Sequence, residues 1–306
     1  MKKKLYFITN PISGSSFARY LRNLDKIDQK MMDKYLDLSK FDYEIWITEY
    51  EGHASELAMK GLNSNADLIV AIGGDGTIRE IASVLIGTNT PLGIIPAGSG
   101  NGLALHLAIP LNLKGAIEII NRFNVSEIDT GSICLVNEKE ETKKDVFLSS
   151  SGVGFDALMA HRFKHLIKRG LWGYIKAIYK EYFSYLPNSY ELEINGVMQV
   201  EKALLINIAN SSQFGNNAII APSAKIDDGK FELSIVRQFP IYALPEMIFR
   251  LFSRSIDKSK YVTTLQVEEI VIKNGPGLVQ LDGDSKESGS VVKIEVNRSS
   301  LCVLTP

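Results

Sequence analysis

The spacing of hydrophobic positions changes from continuous to helical within a short stretch near the first quarter of the chain. Residues 68–72 form an unbroken apolar run, which is typical of a strand buried on both faces. After a glycine-rich turn, apolar residues recur at helical spacing, with Ile78, Ile81, Ala82 and Leu85 on one side. The pattern predicts a buried strand, a tight turn and a helix that covers the strand.

The same alternation of strand and helix extends over residues 1–125. The further strands and helices predicted there are Leu5–Thr9, Leu24–Leu38, Tyr43–Thr48, His53–Leu62, Leu92–Ile95, Leu103–Leu107 and Leu113–Phe123. Repeated βα units imply a parallel sheet with ligand sites at the carboxyl ends of its strands. We therefore expect residues 1–125 to form an α/β domain with a ligand site at this edge of its sheet.

Strand-like runs dominate after residue 125, and Asn195-Gly196 between two alternating runs is a strong hairpin signal. We expect residues 126–306 to form an antiparallel β-sandwich domain, with the return of its last strand to the first domain left open. Two helices interrupt the strands, at Asp156–Leu186 and Pro240–Ser255. Their aromatic and basic residues indicate either helices that cover the sheet or, in addition, a face toward anionic lipid.

Composition narrows the function classes. The chain has 306 residues with a net charge of −1, which argues against a general nucleic-acid binder. Cys134 and Cys302 lie far apart in apolar runs and are expected to be buried thiols in a reducing compartment. No apolar run approaches the ~18 residues of a membrane span. A cytoplasmic protein is expected.

The glycine-rich turn after residues 68–72 reads Gly73-Gly74-Asp75-Gly76-Thr77. Glycines allow a backbone to approach a bulky ligand, and a helix N-terminus attracts phosphate. Asp75 either caps the helix or meets a metal ion or the proton of a nucleophile. Two more polar loops, Asn10–Ser15 and Gly98–Gly102, follow strand ends, so we expect all three loops to converge.

These loops are neither a P-loop nor a dinucleotide fingerprint. Together with Asn10-Pro11 and Pro96–Asn101, the stretch Gly73–Thr77 resembles the diacylglycerol kinase/sphingosine kinase family of lipid kinases, and its soluble bacterial members in particular. Later stretches resemble further motifs of this family in the same order, and they are Ser151–Asp156, Ala221–Gly229 and Leu281–Asp284. The resemblance covers nearly the whole chain.

The resemblance implies a two-domain enzyme that transfers the γ-phosphoryl group of ATP to a lipid hydroxyl with the help of Mg²⁺. It makes residues 1–125 the nucleotide-binding catalytic domain, and residues 126–306 the domain of the lipid acceptor and of a second catalytic acid. The nucleotide-site positions that it implies are Asn10, Thr48, Gly73, Gly74, Asp75, Gly76, Thr77, Ser99 and Asn101. Glu80 follows the glycine turn by one helical turn and is expected to hold the loops of this site in place.

Phosphoryl transfer also needs a carboxylate that orients or deprotonates the alcohol. The resemblance implies that Asp75 lies beside the phosphates and Mg²⁺, and that the base comes from the β domain at Asp284. Related bacterial enzymes usually carry Glu at this position, so Asp282 is a second candidate. Both aspartates alternatively cap the Asp-Gly turn.

A structural Mg²⁺ site is implied at Asp228, completed by the backbone carbonyl groups of Lys225 and Lys230. One carboxylate with carbonyl oxygens and waters suits a hard cation. The alternative is again a simple Asp-Gly turn.

The acceptor lipid remains open at this stage. Many bacterial diacylglycerol kinases have Asn-Asp after the second glycine loop, whereas Gly98–Ala104 looks more like the sphingosine and ceramide kinase branch. We expect ATP and a lipid at the membrane surface as partners, with peripheral membrane association, a homodimer as a candidate assembly and no nucleic acid. The competing hypotheses are a soluble-metabolite kinase of the NAD kinase or phosphofructokinase type, and a non-catalytic nucleotide- or lipid-binding regulator.

Overall fold

A computed structural model describes residues 2–13, 29–136, 142–164, 171–274 and 277–306. The chain divides into two compact units. Unit 1 contains Met1–Ile128 together with Ser299–Pro306, and unit 2 contains Asp129–Arg298. Gly14, Ser15 and the start of the helix predicted from Leu24 lie outside the described residues.

Unit 1 alternates strands and helices, as the hydrophobic pattern predicts. Its elements are β1 (Lys3–Thr9), α1 (Gln29–Tyr35), β2 (Phe41–Ile47), α2 (His53–Asn63), β3 (Leu68–Gly73), α3 (Asp75–Leu85), β4 (Leu92–Pro96), α4 (Gly102–His106) and α5 (Leu113–Arg122). The strands are parallel in the order β2-β1-β3-β4. All residues of β3 and β4 are buried, which explains why their sequences are continuous apolar runs.

Parallel strands place their carboxyl ends at one edge of the sheet. Leu5 pairs with Leu68, and Ile69 pairs with Leu92, so β1, β3 and β4 run in register toward the three polar loops. Helix α3 packs Ile78, Ile81 and other apolar side chains in the core of the unit. The strand-turn-helix pattern at residues 68–85 is confirmed.

Unit 2 is mainly antiparallel. Its strands are β5 (Val125–Val136), β6 (Thr142–Phe147), β7 (Ser150–Gly154), β8 (Asn188–Ile194), β9 (Val197–Ala203), β10 (Leu205–Ala209), β11 (Gln213–Gly215), β12 (Ala218–Ile219), β13 (Phe231–Val236), β14 (Val262–Val267), β15 (Glu269–Lys273), β16 (Leu278–Leu281), β17 (Asp284–Glu287) and β18 (Val291–Leu304). Its α-helices are α6 (Phe155–Lys164), α7 (Leu171–Tyr182) and α8 (Leu244–Phe252), with 3-10 turns at Ile241–Ala243 and Ile256–Lys258.

Two sheets enclose the core of unit 2. One has the order β14-β13-β10-β7-β16-β17, and the other contains β18-β15-β8-β9 with β5 and β6. Apolar side chains from both sheets, including Ile206, Leu233, Tyr190 and Ile270, form one buried cluster. The predicted sandwich is therefore confirmed. The opposite face of the first sheet packs on α6, α7 and α8 through a second buried cluster.

The Asn195-Gly196 hairpin is confirmed, because β8 and β9 pair antiparallel around it and both turn residues have positive φ. Residues 125–128 of β5 and 299–304 of β18 belong to unit 1. Residues 292–295 of β18 pair with β15 in unit 2, and Val303 pairs with Leu92 within unit 1.

Strands β6 and β7 are separated by a bend at Leu148 and Ser149, whose backbone N–H groups donate to Asp282. Two expectations from the sequence are wrong in part. The long helix predicted over 156–186 ends at Tyr182, and its middle, residues 165–170, is not described. Cys134 and Cys302 are free thiols as expected, but they are only partly buried.

Candidate active site

The three polar loops of unit 1 meet at the carboxyl ends of β1, β3 and β4. The Asn10 side-chain amide donates to Thr77 Oγ1 at 3.1 Å, and the Gly74 N–H donates to Ser13 Oγ at 3.3 Å. The Ala97 N–H donates to the Gly73 carbonyl at 2.8 Å. The predicted convergence of the loops is confirmed.

Glycines make this convergence sterically feasible. A Cβ atom on Gly98 would lie 2.4 Å from the Gly74 Cα, and one on Gly73 would lie 2.6 Å from the Thr77 Cβ. Real Cβ atoms do not approach other atoms so closely, so side chains at these positions would force the loops apart. The close packing of the loops therefore requires these glycines, in addition to any role that they have in ligand binding.

Asn101 holds the second glycine loop. It is buried in the left-handed conformation, with φ of 52°. Its Oδ1 accepts the Gly98 N–H at 2.8 Å, and its Nδ2 donates to the Gly98 carbonyl at 3.0 Å. The side chain thus fixes the loop from within, while Ser99 at the loop tip is exposed.

The first turn of α3 contains Asp75, Gly76 and Thr77. Asp75 is half-buried at the positive end of the helix macrodipole, where a carboxylate is favourable. The exposed side of such a helix end also attracts phosphate. The geometry therefore accommodates both the cap and the ligand interpretations of Asp75.

Two further predicted residues brace these loops. The Thr48 N–H donates to the Thr9 carbonyl at 2.9 Å, next to Asn10 in the chain. Burial raises the pKa of Glu80, against the lowering effect of the backbone N–H groups of Gly52 and Ala54. Glu80 thus binds the N-terminus of α2. Its expected role in holding the loops of the nucleotide site stays a prediction.

In unit 2, the Asp282 carboxylate accepts hydrogen bonds from backbone N–H groups. They are the N–H groups of Leu148 at 2.9 Å, Ser149 at 2.7 Å and Ser150 at 3.1 Å. The residue adopts the left-handed conformation, with φ of 50°. Asp282 therefore anchors the turn to a segment more than 130 residues earlier in the chain. Asp284 lies two residues on, half-buried at the start of β17.

The Asp228 loop is tied to a buried acid that the sequence left without a role. Asp129 accepts the Gly229 N–H at 2.6 Å, and its own N–H donates to the Ile226 carbonyl at 2.7 Å. Asp228 is exposed, and one of its oxygens accepts the Lys230 N–H at 3.1 Å. Within the described ranges, no group of three or more His, Cys, Asp or Glu residues is arranged to hold a metal ion.

Buried Asn210 connects the two acidic regions of unit 2. Its Nδ2 donates to the carbonyl groups of Asp129 and Leu148, both at 2.8 Å. Since Asp129 binds the Asp228 loop and Leu148 binds Asp282, one amide links both loops. An isolated asparagine at a strand end gives no sequence signal for this role.

Asp156 is the other acid whose environment the sequence did not reveal. It is buried above Gly152, with Asn207 Nδ2 at 3.4 Å and the Ala157 N–H at 2.8 Å. Burial raises its pKa to about 7, and these donors oppose the rise. Its position in the Ser151–Asp156 stretch was the one available signal.

Comparisons with known proteins agree with this arrangement. A model of the diacylglycerol kinase catalytic domain matches residues 4–133, and a model of the YegS C-terminal NAD kinase beta sandwich-like domain matches residues 149–305. The chain belongs to the diacylglycerol kinase family.

Relatives of this family member span most of its length. A diacylglycerol kinase of Mycobacterium tuberculosis is 26% identical over 92% of this chain and 88% of that protein. An uncharacterized Synechocystis protein is 27% identical over 91% of this chain, which spans only 65% of that relative's length.

Solved structures support the fold. A crystal structure described as a diacylglycerol kinase from Bacillus anthracis superposes with a TM-score of 0.69 at 18% identity, covering 99% of this chain and 97% of that one. Yeast NADH kinase gives a TM-score of 0.54 at 11% identity, covering 100% and 84%. Within the described residues, no helix is long and apolar enough to cross a membrane.

Proposed function

We propose that this chain is a lipid kinase that transfers the γ-phosphoryl group of ATP to the hydroxyl group of a diacylglycerol-like or sphingoid lipid at the membrane surface. The observation that carries the proposal is the contact between Gly74 and Gly98 at the N-terminus of α3. It brings two glycine-rich loops together beside a helix end that favours phosphate.

Unit 1 is proposed as the nucleotide-binding part. Phosphate oxygens would be bound around the N-terminus of α3 and the exposed tip of the second glycine loop. The side chains and backbone groups assigned to ATP are those of Asn10, Thr48, Gly73, Gly74, Asp75, Gly76, Thr77 and Ser99. Asn101 would fix the second glycine loop through its two hydrogen bonds to Gly98. Glu80 would support the site indirectly, by holding the N-terminus of α2 against α3.

Unit 2 is proposed to carry the general base. A base needs a carboxylate oxygen that is able to take the proton of the acceptor hydroxyl. Because three backbone N–H groups already bind the Asp282 carboxylate, we assign the base to Asp284. The lipid oxygen then forms a bond to the γ-phosphorus, the bond from that phosphorus to the bridging oxygen breaks, and ADP leaves.

The residues also fit the Mg²⁺ that such kinases use. Asp75 would hold the ion of the nucleotide, and Asp228 with the carbonyl groups of Lys225 and Lys230 would hold a structural ion. A carboxylate oxygen has two lone pairs, so the bond from Lys230 leaves Asp228 able to bind a hard cation. When bound, Mg²⁺ supplies charge neutralisation at the phosphate oxygens.

A soluble-metabolite kinase is the second candidate. The matched C-terminal model is described as NAD kinase beta sandwich-like, and the fold resembles that of yeast NADH kinase. At 11% identity this likeness concerns the fold alone.

A panel of acceptors with γ-labelled ATP separates the candidates. Diacylglycerol, monoacylglycerol, sphinganine, ceramide and NAD would each be offered to the full chain. The proposal expects a labelled phosphomonoester from at least one lipid. Label in NAD alone would favour the second candidate, and ATP binding without turnover on any acceptor would favour a non-catalytic regulator.

A further inference from the structure

Unit 2 exposes a set of large apolar side chains next to helices α7 and α8. We call them the aromatic surface, and its members are Tyr179, Phe183, Leu186, Tyr242 and Phe249. Their exposed fractions range from 55% for Tyr179 to 80% for Tyr242. Large apolar side chains grouped on a surface are typical of interaction sites.

Helix α7 and the residues after it have more apolar side chains than the core of unit 2 uses. Ile178, Tyr182 and Tyr185 point inward and pack in the buried cluster. Tyr179 and Phe183, one helical turn apart, lie on another side and contact each other edge-to-face, with ring centroids 5.2 Å apart. Because Tyr179 and Phe183 are 55% and 63% exposed, packing in the core of unit 2 does not account for them.

The segment that contains α8 repeats this arrangement. Leu244 and Met247 are buried, whereas Tyr242 and Phe249 are exposed. The two segments belong to one region, because the Tyr182 hydroxyl bonds the Phe239 carbonyl and the two rings stack with centroids 5.0 Å apart.

Positive charge accompanies the aromatic surface. The two acids nearest to it in sequence are in ion pairs, Glu181 with Arg162 at 3.7 Å and Glu246 with Arg250 at 2.7 Å. The exposed cations of the same segments are Lys180, Arg254, Lys258 and Lys260. Among the described residues, none of these four takes part in an ion pair. The one further acid of these segments, Asp257, is half-buried, so the cations outnumber the acids in this region.

We infer that the aromatic surface docks unit 2 on an anionic lipid membrane. Tyr and Phe side chains favour the boundary between head groups and acyl chains, and Lys and Arg favour anionic head groups. The inference rests on the proposed function, since a lipid kinase has to take its acceptor from a membrane. The charge surplus favours an anionic bilayer over a second copy of this chain, which would bring the same positive charge.

Binding of the full chain to vesicles tests this inference. Vesicles of equal parts phosphatidylcholine and phosphatidylglycerol, without ATP or diacylglycerol, are sedimented with the protein. The double variant Tyr242→Ser/Phe249→Ser is expected to weaken binding at least about 10-fold, because it removes two aromatic side chains that would insert into the bilayer. The matched control is Val200→Ser, which changes a side chain that is 70% exposed on β9 and should leave binding unchanged.

Charge reversal provides a second arm. The variant Lys180→Glu/Lys258→Glu should weaken binding about 10-fold or more and reduce its dependence on salt. Lys202→Glu, on exposed β9, is the control and should not change the salt dependence. Thermal melting of each variant establishes that unit 2 remains folded.

Three results would overturn the inference. The first is unchanged binding of the aromatic double variant, and the second is an equal loss of binding in Val200→Ser. The third is a wild-type chain that is a dimer and an aromatic variant that is a monomer but still binds vesicles. Turnover is measured separately on a short-chain diacylglycerol dissolved as monomers, where no interface is present and the double variant should match the wild-type chain. A wild-type chain that binds vesicles but phosphorylates no lipid counts against the proposed function only.

Discussion

The backbones of Gly74 and Gly98 are in direct contact, since a Cβ atom on Gly98 would lie only 2.4 Å from the Gly74 Cα. One glycine ends the turn before α3, and the other follows β4. The contact aligns two loops from neighbouring strands at the helix end where we place the phosphates of ATP. Substitutions at this contact should therefore change both stability and nucleotide binding.

The first prediction concerns Gly98→Ala. The added methyl group would meet backbone atoms that cannot rotate away, so we expect the free energy of unfolding to fall by about 2 kcal/mol or more. The KM for ATP should rise as well. Thermal melting and an ATP titration measure the two effects.

Gly61→Ala is the matched control in the same unit. A Cβ atom there would lie 3.0 Å from Ile69 Cδ1, the tip of a side chain that can adjust. Because alanine also favours a helix interior by roughly 0.5–1 kcal/mol, this variant should be neutral or slightly stabilising. Equal behaviour of the two variants would contradict the importance of the glycine contact.

The second prediction separates Asp282 from Asp284. In Asp282→Asn, the new amide group would face the Leu148 N–H, and we expect a loss of at least about 2 kcal/mol in unfolding free energy. In Asp284→Asn, kcat should fall by about 100-fold or more because the amide cannot accept a proton. Chemical denaturation and steady-state kinetics on both variants provide the comparison. A larger loss of kcat in Asp282→Asn, with unchanged stability, would reverse the assignment.

The glycine turn and the Asp282 turn show how far sequence reasoning extends. The run Leu68–Gly73 and the following helix are recognisable because local periodicity specifies them. Asp282-Gly283 is equally recognisable as a turn, but the partners of Asp282 lie at Leu148–Ser150, and no local pattern indicates them. The same holds for Asn210 and Asp129, whose importance arises from contacts between distant segments.

The third prediction concerns pH. Burial raises the pKa of Asp156 and of Glu232 to about 7 each. The folded state thus retains protons that the unfolded chain releases near pH ~4, so unfolding free energy should fall as the pH rises from about 4 to 7. Each group changes the free energy of unfolding by at most about 1.4 kcal/mol for each pH unit.

Asp156→Asn and Glu232→Gln should each flatten this part of the stability curve, and the double variant should flatten it most. Denaturant unfolding between pH 4 and pH 8 measures the slopes. Asp42→Asn, which changes an exposed carboxylate in unit 1, is the control and should leave the slope unchanged. A curve for Asp156→Asn that runs parallel to the wild-type curve would argue against a buried proton on this residue.

The proposed role of Asp75 is phosphoryl transfer from ATP to a lipid. The variant Asp75→Asn retains the size of the side chain and its place at the first turn of α3 but removes the charge. We expect the free energy of unfolding to change by no more than about 1 kcal/mol, since a helix-end charge contributes about 0.3–1 kcal/mol. Thermal melting measures this change. Asp42→Asn is again the matched control in unit 1.

The most direct measurement is the rate at which label passes from γ-labelled ATP to the lipid acceptor in the wild-type chain, Asp75→Asn and Asp42→Asn. Our account predicts a labelled lipid phosphomonoester with the wild-type chain and Asp42→Asn, and a loss of at least about 1,000-fold with folded Asp75→Asn. Lipid phosphorylation by Asp75→Asn at the wild-type rate would contradict it.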